Sequence, residues 1–184
     1  MNFDYSGYDL KFIQCDKCKD GSKHLYTKIY KFYSPKTHYF YIVRAEYHEL
    51  DVYAIKFYCK RFRHSDLKYS KIVNKGDIGN IIITCLKVIP TLLQEQPTVS
   101  FAFVGARTLD TKSSKVESYI KTQRFRVYKY IVAKNIGTQI FTHYTNEEVS
   151  SYLLINNQVK NTSVKKKEIE NMFKETYNDL HNIN

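Results

Sequence analysis

The chain has 184 residues, a length that suits one folded domain with a substantial core. Hydrophobic residues at 43% and charged residues at 26% exclude a disordered or fibrous chain, and 17 Tyr and 11 Phe without any Trp leave many rings to bury, pair or stack. A formal charge of +11 favours polyanionic partners such as nucleic acid, an acidic surface or phosphorylated ligands.

The opening residues, MNFDYSGYDLKF, have neither the basic nor the apolar region of a cleaved signal, so a cytoplasmic location is expected. Four segments then read as strands: LKFIQCDKC, KHLYTKIYKFY, THYFYIVRAEY and DVYAIKFYCKRF. They are dense in β-branched and aromatic residues and broken at Asp20-Gly21, Ser34-Pro35 and Glu49 to Asp51. An antiparallel meander follows. In its second strand Leu25, Thr27, Ile29, Lys31 and Tyr33 share one face, and Tyr26, Lys28, Tyr30 and Phe32 share the other. One face should meet helices, leaving the other as a tyrosine-rich surface.

Within the first of these strands Cys15 and Cys18 form CDKC, two thiolates at zinc-ligand spacing. The chain has no second CxxC and no HxxxH, and His24, His38, Cys59 and His64 would have to be brought in by folding, so no metal site is assigned. Four irregularly spaced cysteines do not make a disulfide scaffold.

Between Lys60 and Lys75 a basic connector, KRFRHSDLKYSKIVNK, carries six Lys or Arg against one Asp. It fits a solvated loop and also a phosphate-tracking segment. Asp77 can cap the next helix, whose Ile78, Ile81, Ile82, Cys85, Leu86 and Ile89 make one apolar face. Pro90 should kink or stop it, with a further turn over residues 91 to 96. The apolar run from Ile81 to Leu93 is interrupted by Lys87 and Pro90, and it falls short of the ~20 residues of a membrane span.

VSFAFV reads as a buried strand ended by Gly105, residues Asp110 to Ser114 as a polar loop, and Val116 to Asn135 as a helix stopped by Gly137. On that helix Val116, Tyr119, Ile120, Gln123, Val127, Tyr130 and Ile131 are expected to face the sheet. Lys121, Phe125, Tyr128, Lys129 and Val132, flanked by Arg124 and Arg126, would then lie outside as a mixed cationic and aromatic surface. QIFTHY and SSYLLINN suggest two strands, although EEVSSYLLI also fits a helix. A final helix over 163 to 181 has Ser163 as its cap and Val164, Ile169, Met172, Phe173, Tyr177 and Leu180 as its stripe.

No GxSxG, HExxH or Walker-type motif occurs, so hydrolase and kinase chemistry has no support. The glycine turn NKGDIGN, before a helix, is a geometry that presents backbone N–H groups to phosphate. Together with the helix, VSFAFV and the helix after it, the turn resembles the Gcn5-related N-acetyltransferases over residues 69 to 141. That likeness implies acetyl-coenzyme A held at Gly76, Gly79 and Asn80, with Tyr128 as general acid. Asn74, Gly76 and Gly79 do not reproduce the family's Q/RxxGxG/A pattern, and Asp77 adds a negative charge there. A second likeness rests on Gly76-Asp77, Thr84 to Leu86, Ser100 to Ala106, Thr122 to Tyr128 and Tyr152 to Asn156. Those stretches resemble small uncharacterised bacterial proteins with the pattern GD…TCL…SFGFIGA…TKRFRVY…YLLIN. This likeness implies a shared fold and no activity.

The expected architecture is α+β: an N-terminal antiparallel sheet of three to five strands, two or three helices packed on it, and a C-terminal helix. Residues 1–160 would form one domain, with 161–184 docked or mobile. The leading functional expectation is a non-enzymatic, basic protein that needs no cofactor and contacts nucleic acid or another polyanion. Lys60, Arg61, Arg63, Arg107, Arg124, Arg126 and Lys129 would hold phosphates, while Phe125 or Tyr128 stacks on bases. The acyltransferase is the alternative. A third reading is a protein-interaction module working through the tyrosine-rich sheet or through self-association of the terminal helix.

Overall fold

The four expected N-terminal strands all form and continue into one seven-stranded sheet of order β1-β2-β3-β4-β5-β7-β6. The structure, a computed structural model, describes residues 6–71, 73, 75–109 and 115–177. The strands are β1 Lys11–Lys17, β2 His24–Ser34, β3 Tyr39–His48, β4 Val52–Cys59, β5 Ser100–Val104, β6 Phe141–Asn146 and β7 Ser151–Asn156. β1 to β4 form an antiparallel meander, β5 runs parallel to β4, and the β6–β7 hairpin closes the other edge through β7. With three longer helical regions beside this sheet, the class is α+β.

Register explains the two faces, because side chains alternate across a strand. Tyr30, Val43 and Phe57 are partners across β2, β3 and β4, as are Phe32, Tyr41 and Cys59 two pairs further along. These point to one face, where they meet Ile81, Ile82, Cys85 and Leu92. Those four side chains lie on α1 (Ile78–Leu86) and α2 (Val88–Glu95). The expected break is present but falls at Lys87, one turn before Pro90. Proline has no N–H to give the carbonyl four residues earlier, which is that of Leu86, and its ring crowds that carbonyl.

The next helix is shorter than expected. α3 spans Gln123–Asn135, and the Thr122 side chain caps it by accepting from Phe125 N. Residues Val116 to Lys121 are not helical: Val116 bridges Leu109, Glu117 N donates to Thr108 O, and Lys121 has φ 51°. The expected faces are therefore exchanged in part: Ile131 is buried and Val127 packs on the core as expected, and Lys121 and Lys129 are exposed, but the rest of the inward face is different. Phe125, Tyr128, Ile131 and Val132 are buried with Arg124, whereas Tyr119, Ile120 and Tyr130 are exposed. Apolar residues at 116, 119 and 120 mimic helical spacing and rotate the inferred face away from the true one.

EEVSSYLLI resolves as strand, since Ser151–Asn156 is β7. α4 (Thr162–Thr176) is capped by Asn161, not Ser163; the Asn161 side chain accepts from the N–H groups of Ser163 and Val164. Its Ile169 and Met172 pack on Val52, Ala102, Leu153 and Ile155, on the sheet face opposite α1 to α3. Of the expected stripe, Val164 is 51% exposed and Leu180 lies outside the described residues, as do Asn74 and the loop from Asp110 to Ser114.

Candidate nucleic-acid interface

Arginines were expected to mark a binding surface, yet Arg124 is inside the protein. It is 6% exposed, its Nη2 donates to Lys71 O at 3.0 Å, Nη1 donates to Tyr69 O, and the guanidinium lies 5.4 Å from the Phe57 ring. Beyond Ile55, β4 continues to Cys59 while β5 ends at Val104, so the parallel pair parts. Arg124 reaches residues 69–71, where Leu109 N also donates to Ser70 O. Arg124 satisfies two of the carbonyls stranded there.

Phe125 at 1% and Tyr128 at 3% exposed are core residues, and neither can stack on a base from there. Burial also drives the Tyr128 hydroxyl above its ordinary range, and the ring packs against Phe57 and Phe103. It is not placed as a solvent-facing acid. The rest of the α3 set is exposed: Arg126 faces outward, and Lys129 pairs with Glu147 at 3.1 Å. Arg107 is half-buried and donates from Nε to Glu117 O. On the connector, Arg61 donates to Tyr39 Oη, and Arg63 contacts His64. Lys60 and Arg61 open a short 3-10 turn at the end of β4. The structure therefore separates the expected cations into a connector group and an α3 group, with Arg124 removed from both.

The glycine turn is occupied by its own aspartate. Gly76 has φ 67°, and Asp77 sits at the helix N-cap, but its carboxylate caps no backbone N–H. Buried to 1% exposure, it accepts from Tyr8 Oη at 2.9 Å, Ser34 Oγ at 2.5 Å and Asn80 Nδ2 at 3.0 Å. Gly79 is buried, and Asn80 Oδ1 accepts from Gly7 N at 3.4 Å. A carboxylate in the place of a pyrophosphate opposes anion binding at this turn.

The open surface lies elsewhere, on the sheet face that α4 only partly covers. Here Lys31 pairs with Ile42 and Tyr33 with Phe40 across β2 and β3, and Ile42 pairs with Tyr58 across β3 and β4. Tyr33 and Phe40 are 41% and 45% exposed, with ring centroids 5.1 Å apart. Lys31 Nζ stands 4.9 Å over the Phe40 ring. At the β4 border, Lys68 Nζ lies 5.4 Å from the Tyr58 ring and 5.5 Å from that of Tyr69. Base stacking and phosphate contact together call for cations interleaved with rings on an open face. The period-two pattern of β2 already shows the Lys31 and Tyr33 half of this face; the β3 half needs the register.

Sequence reading passed over one constellation altogether. Arg44 and Lys56, directly opposed across β3 and β4, are like charges held together by Glu46. Lys56 Nζ is 2.6 Å from Glu46 Oε2, Arg44 Nε is 3.1 Å from Oε1, and Tyr177 Oη donates to Oε2 at 2.7 Å. Burial alone would raise the Glu46 carboxyl, but Lys56, Tyr177 and Arg44 hold it at about 2. Burial pulls the Lys56 ammonium below its ordinary range against the attraction of Glu46. His48, fully buried, has Nε2 2.7 Å from Tyr177 Oη and an unpartnered Nδ1. Desolvation, then His24 nearby, bring it down to about 4. The hint in the sequence is three charges at alternating positions of two apolar strands.

Among the described residues no group of three or more His, Cys, Asp or Glu is placed to hold a metal ion. Cys15 is exposed and Cys18 half-exposed at the β1–β2 turn, while Cys59 and Cys85 are buried. A groove of about 470 Å³ between α1–α2 and the β6 edge is lined mainly by Ile83, Leu86, Ile89, Leu93, Ile136 and Ile140. No family model, no curated protein and no solved structure matches the chain.

Proposed function

We propose that the chain is a non-enzymatic, basic protein that binds single-stranded nucleic acid on the open half of its sheet. The observation that carries this is the Lys31–Phe40–Tyr33 group, with both rings exposed and Lys31 half-buried, and Tyr58, Lys68 and Tyr69 beside it. Exposed rings offer sequence-tolerant stacking, and the surrounding cations neutralise phosphates. Lys60, Arg61 and Arg63, where β4 ends, extend the positive field, which agrees with the net charge of +11. Packing alone gives no reason to leave Phe40 and Tyr33 in water. Titrating a fluorescent single-stranded oligonucleotide by anisotropy over a salt series tests this reading. Affinity should fall steeply with salt, and salt-independent binding, or none at low salt, removes it.

A second reading, coenzyme A binding, keeps one observation in its favour: a parallel β4–β5 pair is joined by α1 and α2 and followed by α3 and a hairpin. The buried Asp77 and Tyr128 oppose its expected site. Acetyl-coenzyme A at ~100 times its dissociation constant should stabilise a binder by about 2.7 kcal/mol in thermal unfolding, and no shift removes this alternative.

A further inference from the structure

Tyr177 is an odd guest on the sheet. It stands at the C-cap of α4, its ring has Lys56 Nζ 3.8 Å from its centroid, and it lies edge-on to His48 at 5.5 Å. Its hydroxyl donates into a carboxylate already held by two cations. Packing does not demand this arrangement, because apolar residues of similar volume often replace a buried ion cluster without loss of stability. The cluster also carries an excess positive charge, Arg44 and Lys56 against Glu46, and leaves His48 Nδ1 without a partner. What Tyr177 presents there is a flat π face beneath a cation and a polar edge donating to a carboxylate. A nucleobase presents the same two features.

We infer that the place occupied by Tyr177 is a nucleobase subsite, closed by the chain's own tyrosine, and that its preferred ligand is guanine. The inference rests on the proposed nucleic-acid platform and adds to it a guanine preference that Tyr177 masks. Guanine offers an N1–H and an N2 amino group side by side, a donor pair matched to the two oxygens of Glu46. Lys56 would cover the base as it covers the tyrosine ring. Arg44 lies four residues along β3 from Phe40, about 13 Å, so one strand crossing the stacking rings reaches the subsite. Tyr177 therefore competes with the base, and its removal opens the subsite.

The experiment compares fluorescein-labelled oligothymidine, the same oligonucleotide carrying isolated guanines, and one with hypoxanthine in their place. Wild type should bind all three nearly alike. Tyr177→Ala should bind the guanine probe roughly tenfold tighter, the scale of one hydrogen bond to a charged group, and gain less on hypoxanthine, which lacks the amino donor. Adding Glu46→Gln to Tyr177→Ala should abolish the guanine preference. Should Tyr177→Ala not fold, Tyr177→Phe keeps the packing and drops only the hydroxyl, and should shift affinity the same way by less. A folded variant with wild-type affinities for all three probes overturns the subsite while leaving the platform intact. No binding of any probe by wild type or variant overturns the platform itself, and the subsite with it.

Discussion

Arg124 Nη2 donates to the carbonyl oxygen of Lys71 across 3.0 Å, tying α3 to the segment that follows β4. Removing this side chain strands two carbonyls and opens a void beside Phe57. Arg124→Ala should therefore lose about 2–4 kcal/mol, in the range for breaking a buried hydrogen-bonded charge. Urea unfolding checks it. Wild-type stability together with a large loss of oligonucleotide affinity would instead return Arg124 to the binding surface.

Phe40 and Tyr33 should behave oppositely. Being 45% and 41% exposed, they contribute little to the core, so Phe40→Ala and Tyr33→Ala should leave the unfolding midpoint nearly unchanged. Each should weaken single-strand binding by about 1–3 kcal/mol, the usual worth of one stacked base. Lys68→Gln should lower affinity for every sequence alike and reduce the salt slope by about one phosphate. Equal affinities for Phe40→Ala and wild type would contradict the platform.

How much of this was legible in the sequence follows from the range of the forces involved. β1 to β4 were readable because alternation and turn residues are local, and each strand of the meander pairs with its neighbour. α3 was misplaced because Val116, Tyr119 and Ile120 imitate helical spacing, although a bridge to Leu109 and the Glu117 hydrogen bonds hold that stretch outside the helix. Arg124 reads as a surface cation because its reason for burial lies some fifty residues away, in the carbonyls of Tyr69 and Lys71. Phe125 and Tyr128 share that buried face of α3. The Glu46 cluster needs the β3–β4 register and a tyrosine from the far end of the chain, neither of which any local pattern carries.

Gly105 explains part of the SFAFVGA and TQRFRVY stretches. A Cβ built there would lie 2.4 Å from Thr122 Oγ1, 2.6 Å from Phe125 N and 2.7 Å from Phe125 Cβ. Thr122 Oγ1 donates to Gly105 O at 2.8 Å and accepts from Phe125 N at 3.2 Å, so the strand end and helix cap share one tight joint. Gly105→Ala should push α3 off the sheet and destabilise by about 2 kcal/mol or more, through overpacking against backbone. Thr122→Ala, which loses only the cap and one hydrogen bond, should cost about 1 kcal/mol. If the two variants unfold at the same urea concentration, the joint is looser than these distances state.

Acid should unfold the protein in two stages set by His48 and Glu46. His48 is held at about 4, below its ordinary 6.5, so the folded state favours the neutral ring. That stability is present above pH ~6.5 and is lost as pH falls toward 4, about 3 kcal/mol at 1.36 kcal/mol per unit. Glu46 is held at about 2 against an ordinary 4.5, so its contribution is present above ~4.5 and is lost as pH falls through 2. Both act in one direction, and the first stage should appear alone between pH 6.5 and 4.5. Replacing His48 by Phe should flatten that stage and keep the second, because Tyr177 still donates to Glu46. Urea midpoints at pH 7.5, 5 and 3 measure both, and a wild-type midpoint that is flat down to pH 5 would show that His48 already protonates in the fold.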